Sequence, residues 1–184
     1  MFKKEITQKI IRVTRYWLEQ VIIGLNLCPF AKAPYLENKV RVVVTDAANA
    51  RTLADVFMAE IKYLDAHPNK ETTLLVVPAI QNVNDFHAVY MNCELILLQK
   101  KLTEVYQIVS FHPLARVSGH PPDSPLNLVM MAPYPIIHIL RTESVEKLGS
   151  KIRQDIQLVN SNRLANMTKE EFTSIWQNIL QAEC

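Results

Sequence analysis

Glycine is nearly missing from this chain. There are three in 184 residues, at Gly24, Gly119 and Gly149. A loop that cradles phosphates needs glycines so that backbone amides can close on the anion. Neither type of glycine-rich nucleotide loop occurs, which argues against classical dinucleotide binding and P-loop chemistry. Cysteine is as scarce: Cys28, Cys93 and Cys184, an odd number at wide spacing. That gives no disulfide framework and points to a reducing compartment. There is no His-Glu-x-x-His and no Cys-x-x-Cys, so no metal is expected. Long apolar runs are missing too. Val21 to Leu25 falls far short of the ~18 residues of a membrane span. Lys3 and Lys4 precede no signal-peptide core, because Arg12, Arg15 and Glu19 break up the apolar positions after them. The expected location is the cytoplasm, away from membranes. Charge of one sign is also lacking, since a net +2 with 21% charged residues leaves no concentrated basic face. A nucleic-acid partner is therefore not expected. With no repeat, low-complexity tract or linker, residues 1–184 read as one globular domain.

Against these absences stand three proline-flanked motifs. They are Asn26-Leu27-Cys28-Pro29-Phe30, Ser110-Phe111-His112-Pro113, and Pro133-Tyr134-Pro135 running on to His138 and Arg141. Proline fixes its own φ and biases the preceding residue toward extended geometry, so Cys28 and His112 sit on backbone with few options. That suits a pre-positioned site, and equally a tight structural turn. If Pro29 opens a helical turn, Cys28 is its N-cap, where amides favour a thiolate; the plain alternative is a small buried apolar residue. His112 lies just past a strand, on the same face as Ser110, and can serve as a base or as a ring that closes a turn. His138 stands inside an apolar strand, where its ring needs a hydrogen-bond partner. Arg141 can clamp an anion or pair with Glu143 on the surface. His67, His87 and His120 read as surface or turn residues.

Periodicity supplies the frame. Apolar positions at helical steps predict helices over about Lys4 to Ile23, Leu53 to Leu64, Phe86 to Leu97 (capped by Asn82 or Asn84), and from Ser144 to about Val159. Thr168 and Glu171 form a capping box for a last helix to about Gln181. Strands are predicted at Val40–Val44, Thr72–Val77, Val105–Ser110 and Ile136–Leu140, with a proline-rich loop between the last two. Pro29 and Pro34 mark an irregular segment. The alternation predicts an α/β fold, a partly parallel or mixed sheet of about four strands with packed helices; a ferredoxin-like α+β arrangement is the alternative. Trp17, Val42, Val44, Phe57, Ile61, Leu75, Val77, Phe86, Ile96 and Ile108 are the expected core.

Taken together, the three motifs resemble the bacterial domain-of-unknown-function family 1415, over Trp17 to about Asn160. The Thr72-Thr73-Leu74-Leu75 strand and the Asp85-Phe86 pair fit it too. The resemblance implies a shared site and no assigned reaction. The family usually reads Thr-Asn-Arg-Ser before its Pro-Tyr-Pro, where this chain has Val129, Met130, Met131 and Ala132. If that arginine binds an anion in the family, this chain lacks it. The functional expectation is a small cytoplasmic enzyme acting on a small molecule, with no cofactor indicated. Cys28, His112 and His138 would be its catalytic residues, and Asn26, Ser110, Tyr134 and Arg141 its binding groups. The alternative is a non-catalytic binding or scaffolding protein in which the motifs are structural.

Overall fold

The computed structural model of the chain describes residues 2–147 and 158–182. Four strands form one mixed sheet: β1 (Val40–Val44), β2 (Thr72–Val76), β3 (Tyr106–Phe111) and β4 (Ile136–Arg141), in the order β1-β2-β4-β3. β1 and β2 are parallel, and β4 runs antiparallel to both β2 and β3. The three strands that precede β4 therefore all point one way, and their carboxyl ends share one edge of the sheet with the start of β4.

Each sheet face carries its own core, as alternate residues of a strand must point to opposite sides. On one face, helices α3 (Ala50–Ala66) and α4 (Val83–Gln99) bury Phe57, Ile61, Phe86 and Cys93 against Leu75, Val77, Ile108, Ile137 and Ile139. On the other, α1 (Lys4–Trp17) and α6 (Lys169–Gln181) bury Val13, Trp17, Phe172 and Ile179 with Leu74, Val76 and Ile136. Shorter pieces complete the chain: α2 (Lys32–Leu36), a 3₁₀ turn (Pro125–Val129) and α5 (Thr142–Glu146). Residues 158–165 are helical as well.

The sequence placed most of these elements. Asn82 is the α4 cap, accepting from the Asn84 and Asp85 amides, and the Thr168–Glu171 capping box is complete. Four points differ. Val42, Val44 and Ile96 are half-buried, the first two because β1 is an edge strand. Pro34 lies inside α2, in a first turn where its missing N–H would have had no helical partner anyway. Ser144 does not cap α5, which starts at Thr142; its hydroxyl instead donates to Glu71 at 3.2 Å. The predicted continuation of that helix falls on residues 148–157, outside those described.

The fourth concerns the first helix, which reaches Ile23 as predicted but changes form. Leu18–Ile23 is π-helical, and the Gly24 amide bonds to Glu19 O at 2.8 Å. The widened turn brings the Gln20 carbonyl well inside contact distance of where a Gly24 Cβ would stand. Gly24 is thus required by close approach. Gly24→Ala should cost about 1–3 kcal/mol, the range for forcing atoms into filled space. Its signature is a lower urea midpoint at unchanged slope.

Candidate functional site

The carboxyl edge of the parallel strands is where open α/β sheets place ligands. Here β1 and β2 lead straight into the N-termini of α3 and α4. A cleft of about 390 Å³ lies between them, lined by Ala48, Asn49, Ala79, Gln81, Asn82 and Asp85 among others. Both helix ends are capped by asparagine: Asn49 Oδ1 accepts from Thr52, and Asn82 Oδ1 from Asn84 and Asp85. Their side-chain carbonyls are thereby committed. Asp85 supplies a carboxylate to the lining.

His112 stands behind this cleft. It is buried against Phe86, with ring centroids 5.3 Å apart. Its Nδ1 accepts from the Leu114 amide at 3.1 Å, so the ring proton is on Nε2, which donates to Gln81 O, also at 3.1 Å. Both ring nitrogens are spent on backbone, and the carbonyl that Nε2 holds belongs to a cleft residue. The His112 amide reaches Met130 O at 3.1 Å. Burial pushes the imidazole pKa down from its ordinary value, and the Gln81 bond opposes the shift.

His138 lies on the opposite face. Its register partners are Leu74 and Val109, three residues before His112, and its ring centroid is 6.3 Å from that of Phe111. Three strand residues span ~10 Å, and the sheet itself stands between the two rings. The Thr72 hydroxyl donates its one proton to Ile139 O at 2.6 Å, so it accepts from His138 Nε2, also at 2.6 Å. The ring is neutral, its pKa pushed down to about 4 by desolvation.

Arg141 is at the far end of β4, level with Tyr106, five residues from the edge that carries His112. That is ~17 Å along the sheet. Its guanidinium caps the end of α3, donating to Leu64 O at 2.7 Å and to Lys70 O at 3.2 and 3.3 Å. Glu143 pairs instead with Lys147. Ser110 is half-buried on the His112 face, and Tyr134 packs on the Trp17 side of the sheet.

Cys28 belongs to a third place. After the π-helical turn, Asn26 takes a left-handed backbone, φ 50°, which asparagine tolerates better than most residues. The loop is latched from residues 158–165: Asn160 donates to Leu27 O at 2.7 Å, and Arg163 to the Leu25 and Asn26 carbonyls. Cys28 is exposed. The helix predicted at Pro29 begins at Lys32, and Cys28 to Ala31 is a hydrogen-bonded turn. Surrounding protein pushes the thiol pKa up, while hydrogen bonds from the Phe30 and Ala31 amides pull it down, with a net rise. The thiolate that an N-cap would favour is therefore not favoured here. Cys93 is buried in α4 and pushed up to about 12 by desolvation alone. Cys184 lies outside the described residues.

Sequence reasoning singled out His112 but not the cleft in front of it. Asn49 and Asn82 read only as caps, and the signal that could have found the cleft is their position, each shortly after a strand. Among the described residues no cluster of three His, Cys, Asp or Glu could hold a metal ion, and no helix is long and apolar enough to cross a membrane. In the segment before Pro133, Met130 is exposed while Met131 and Ala132 are buried on the Trp17 side. The Met131 carbonyl accepts from Trp17 Nε1 at 2.9 Å.

A search of curated proteins and a search of solved structures each returned no match. The profile of one family, described as "Protein of unknown function (DUF1415)", matches residues 9–174. The chain belongs to that family.

Proposed function

We propose that this chain is a small-molecule-binding protein whose ligand seat is the cleft between the α3 and α4 N-termini, with the His112 motif as its structural back wall. The observation that carries this reading is the double backbone engagement of His112. A ring that holds Gln81 from one nitrogen and Leu114 from the other fixes the cleft and has no free nitrogen with which to move a proton. The lining favours a neutral or amine-bearing polar ligand. Asn49 and Asn82 keep their side-chain N–H groups to donate, Asp85 accepts, and the lining holds no Lys or Arg to hold an anion. The cytoplasm suits such a protein, since an exposed Cys28 and a buried Cys93 leave the described thiols free.

A second reading rests on Cys28: its thiol is exposed and can act as a nucleophile without a histidine base, although the surrounding protein raises its pKa and holds back the thiolate. One mutant separates the binding reading from an enzyme in which His112 is the base. In the binding reading His112→Asn lowers the melting temperature and leaves the titration of Cys28, measured by thiol labelling in a Cys184→Ser background, unchanged. With His112 as base, folding survives and the thiol titration shifts. The seat itself is tested by ligand-detected NMR with amino acids, polyols and nucleosides. Ala79→Trp, which fills the cleft, should abolish every signal seen with the wild type. A panel with no binder, or binding that survives Ala79→Trp, removes the cleft as the site.

A further inference from the structure

α4 is apolar on the side that faces solvent as well as on the side that faces the sheet. Phe86, Val89, Cys93 and Leu97 point inward. On the outer side Asn84, Ala88, Met91, Leu95 and Leu98 follow one another at steps of four and three, the spacing of a helix-packing seam. All five are exposed, Leu98 to 63%. His87, Asn92 and Gln99 flank them, so no ionised side chain interrupts this face between Asp85 and Lys100; Glu94 is half-buried and accepts from the Tyr90 hydroxyl at 2.8 Å. A helix with an apolar stripe on its outer side as well as its inner one has a second face suited to packing, and depletion of charge at the centre of a patch is the compositional mark of an interface.

The charges at the two ends of this face identify the occupant. Asp85 lies at its N-terminal end, and Lys100 and Lys101 just past its C-terminal end. None of the three takes part in an ion pair among the described residues. A second α4 laid antiparallel across the first brings acid to base at both ends, and its dipole is opposed to the first. We propose that the outer face of α4 is a homodimer interface, in which two copies pack their α4 helices antiparallel about a two-fold axis. In the register that joins Asp85 of one copy to Lys101 of the other, Met91 meets Leu95 and small Ala88 meets large Leu98. The surface is therefore self-complementary, as a two-fold contact requires. The same register sets Lys101 of the second copy beside Asp85, at the rim of the cleft.

Sedimentation velocity over a micromolar to submillimolar series tests this directly. The wild type should pass from monomer to dimer. Leu95→Glu, at an exposed position that leaves the fold intact by circular dichroism, should weaken the dimer on the order of 100-fold or more, because the axis places the new carboxylate in the interface twice. Asp85→Lys and Lys101→Asp should each weaken it; aspartate suits position 101, whose φ is 55°. An equimolar mixture of these two variants should recover association, since acid again meets base in the mixed dimer. A monomer at every concentration overturns the proposal, as does a dimer that survives Leu95→Glu, or single charge variants that weaken the dimer without recovery on mixing.

Discussion

Acidification from pH 7 to pH 4 should remove about 3 kcal/mol of stability through His138 alone. In the folded protein its pKa lies near 4, against an ordinary value of 6.5 that the unfolded chain restores. Between those two values the unfolded state binds the extra proton and the folded state does not, so stability falls as pH falls. The contribution is whole above pH 6.5 and is spent below pH 4. His112 shifts in the same direction for the same reason and adds to the loss. Urea midpoints across this range, compared between the wild type and His138→Gln, provide the measurement. Glutamine can still donate to the Thr72 hydroxyl but takes up no proton, so its profile should be flatter. An equally steep profile for His138→Gln would show that His138 is not the titrating group.

Arg41→Met should be the most damaging change on β1. Arg41 binds Glu60 through two hydrogen bonds, at 2.7 and 3.2 Å, and lies 3.8 Å above the Tyr63 ring. Glu60 is buried, at 6% exposure. Removing the guanidinium leaves a carboxylate inside the α3 core without its partner, a loss of about 3–5 kcal/mol for pairs of this kind. Arg41→Met combined with Glu60→Leu should recover most of it, because an apolar pair needs no partner. The comparison is one of urea midpoints in a double-mutant cycle. A double variant as unstable as Arg41→Met would show that packing on Tyr63, rather than the orphaned charge, sets the loss.

The strands were legible because β-branched runs such as Thr72–Val76 and Val40–Val44 have few other uses, and the helices because their caps are chemical rather than statistical. Asn82, Thr168 and Glu171 each satisfy a particular amide. Parity within one strand also held, with Ser110 and His112 on one face. What a single strand cannot tell is which neighbour it lies beside. The order β1-β2-β4-β3 puts the His138 ring on the Trp17 face and His112 on the α4 face, and it carries Arg141 to the opposite end of the sheet. None of that is written in the local pattern around those residues. The π-helical turn escaped for another reason: Leu18 to Ile23 has ordinary helical composition, and only Gly24 marks the close carbonyl.

The latch on the Cys28 loop fixes when this protein can finish folding. Asn160 reaches back 133 residues to Leu27, and Trp17 is held by a carbonyl 114 residues downstream. Contacts so distant in sequence are slow to form, because the whole intervening chain must first be gathered in. During synthesis α1 leaves the ribosome early; β1 and β2 can cover part of its apolar stripe, but β4 and α6 complete that cover only later. The Cys28 turn takes its final shape only after the chain has been made through Arg163. In a nascent chain the loop around this thiol stays unlatched throughout that interval.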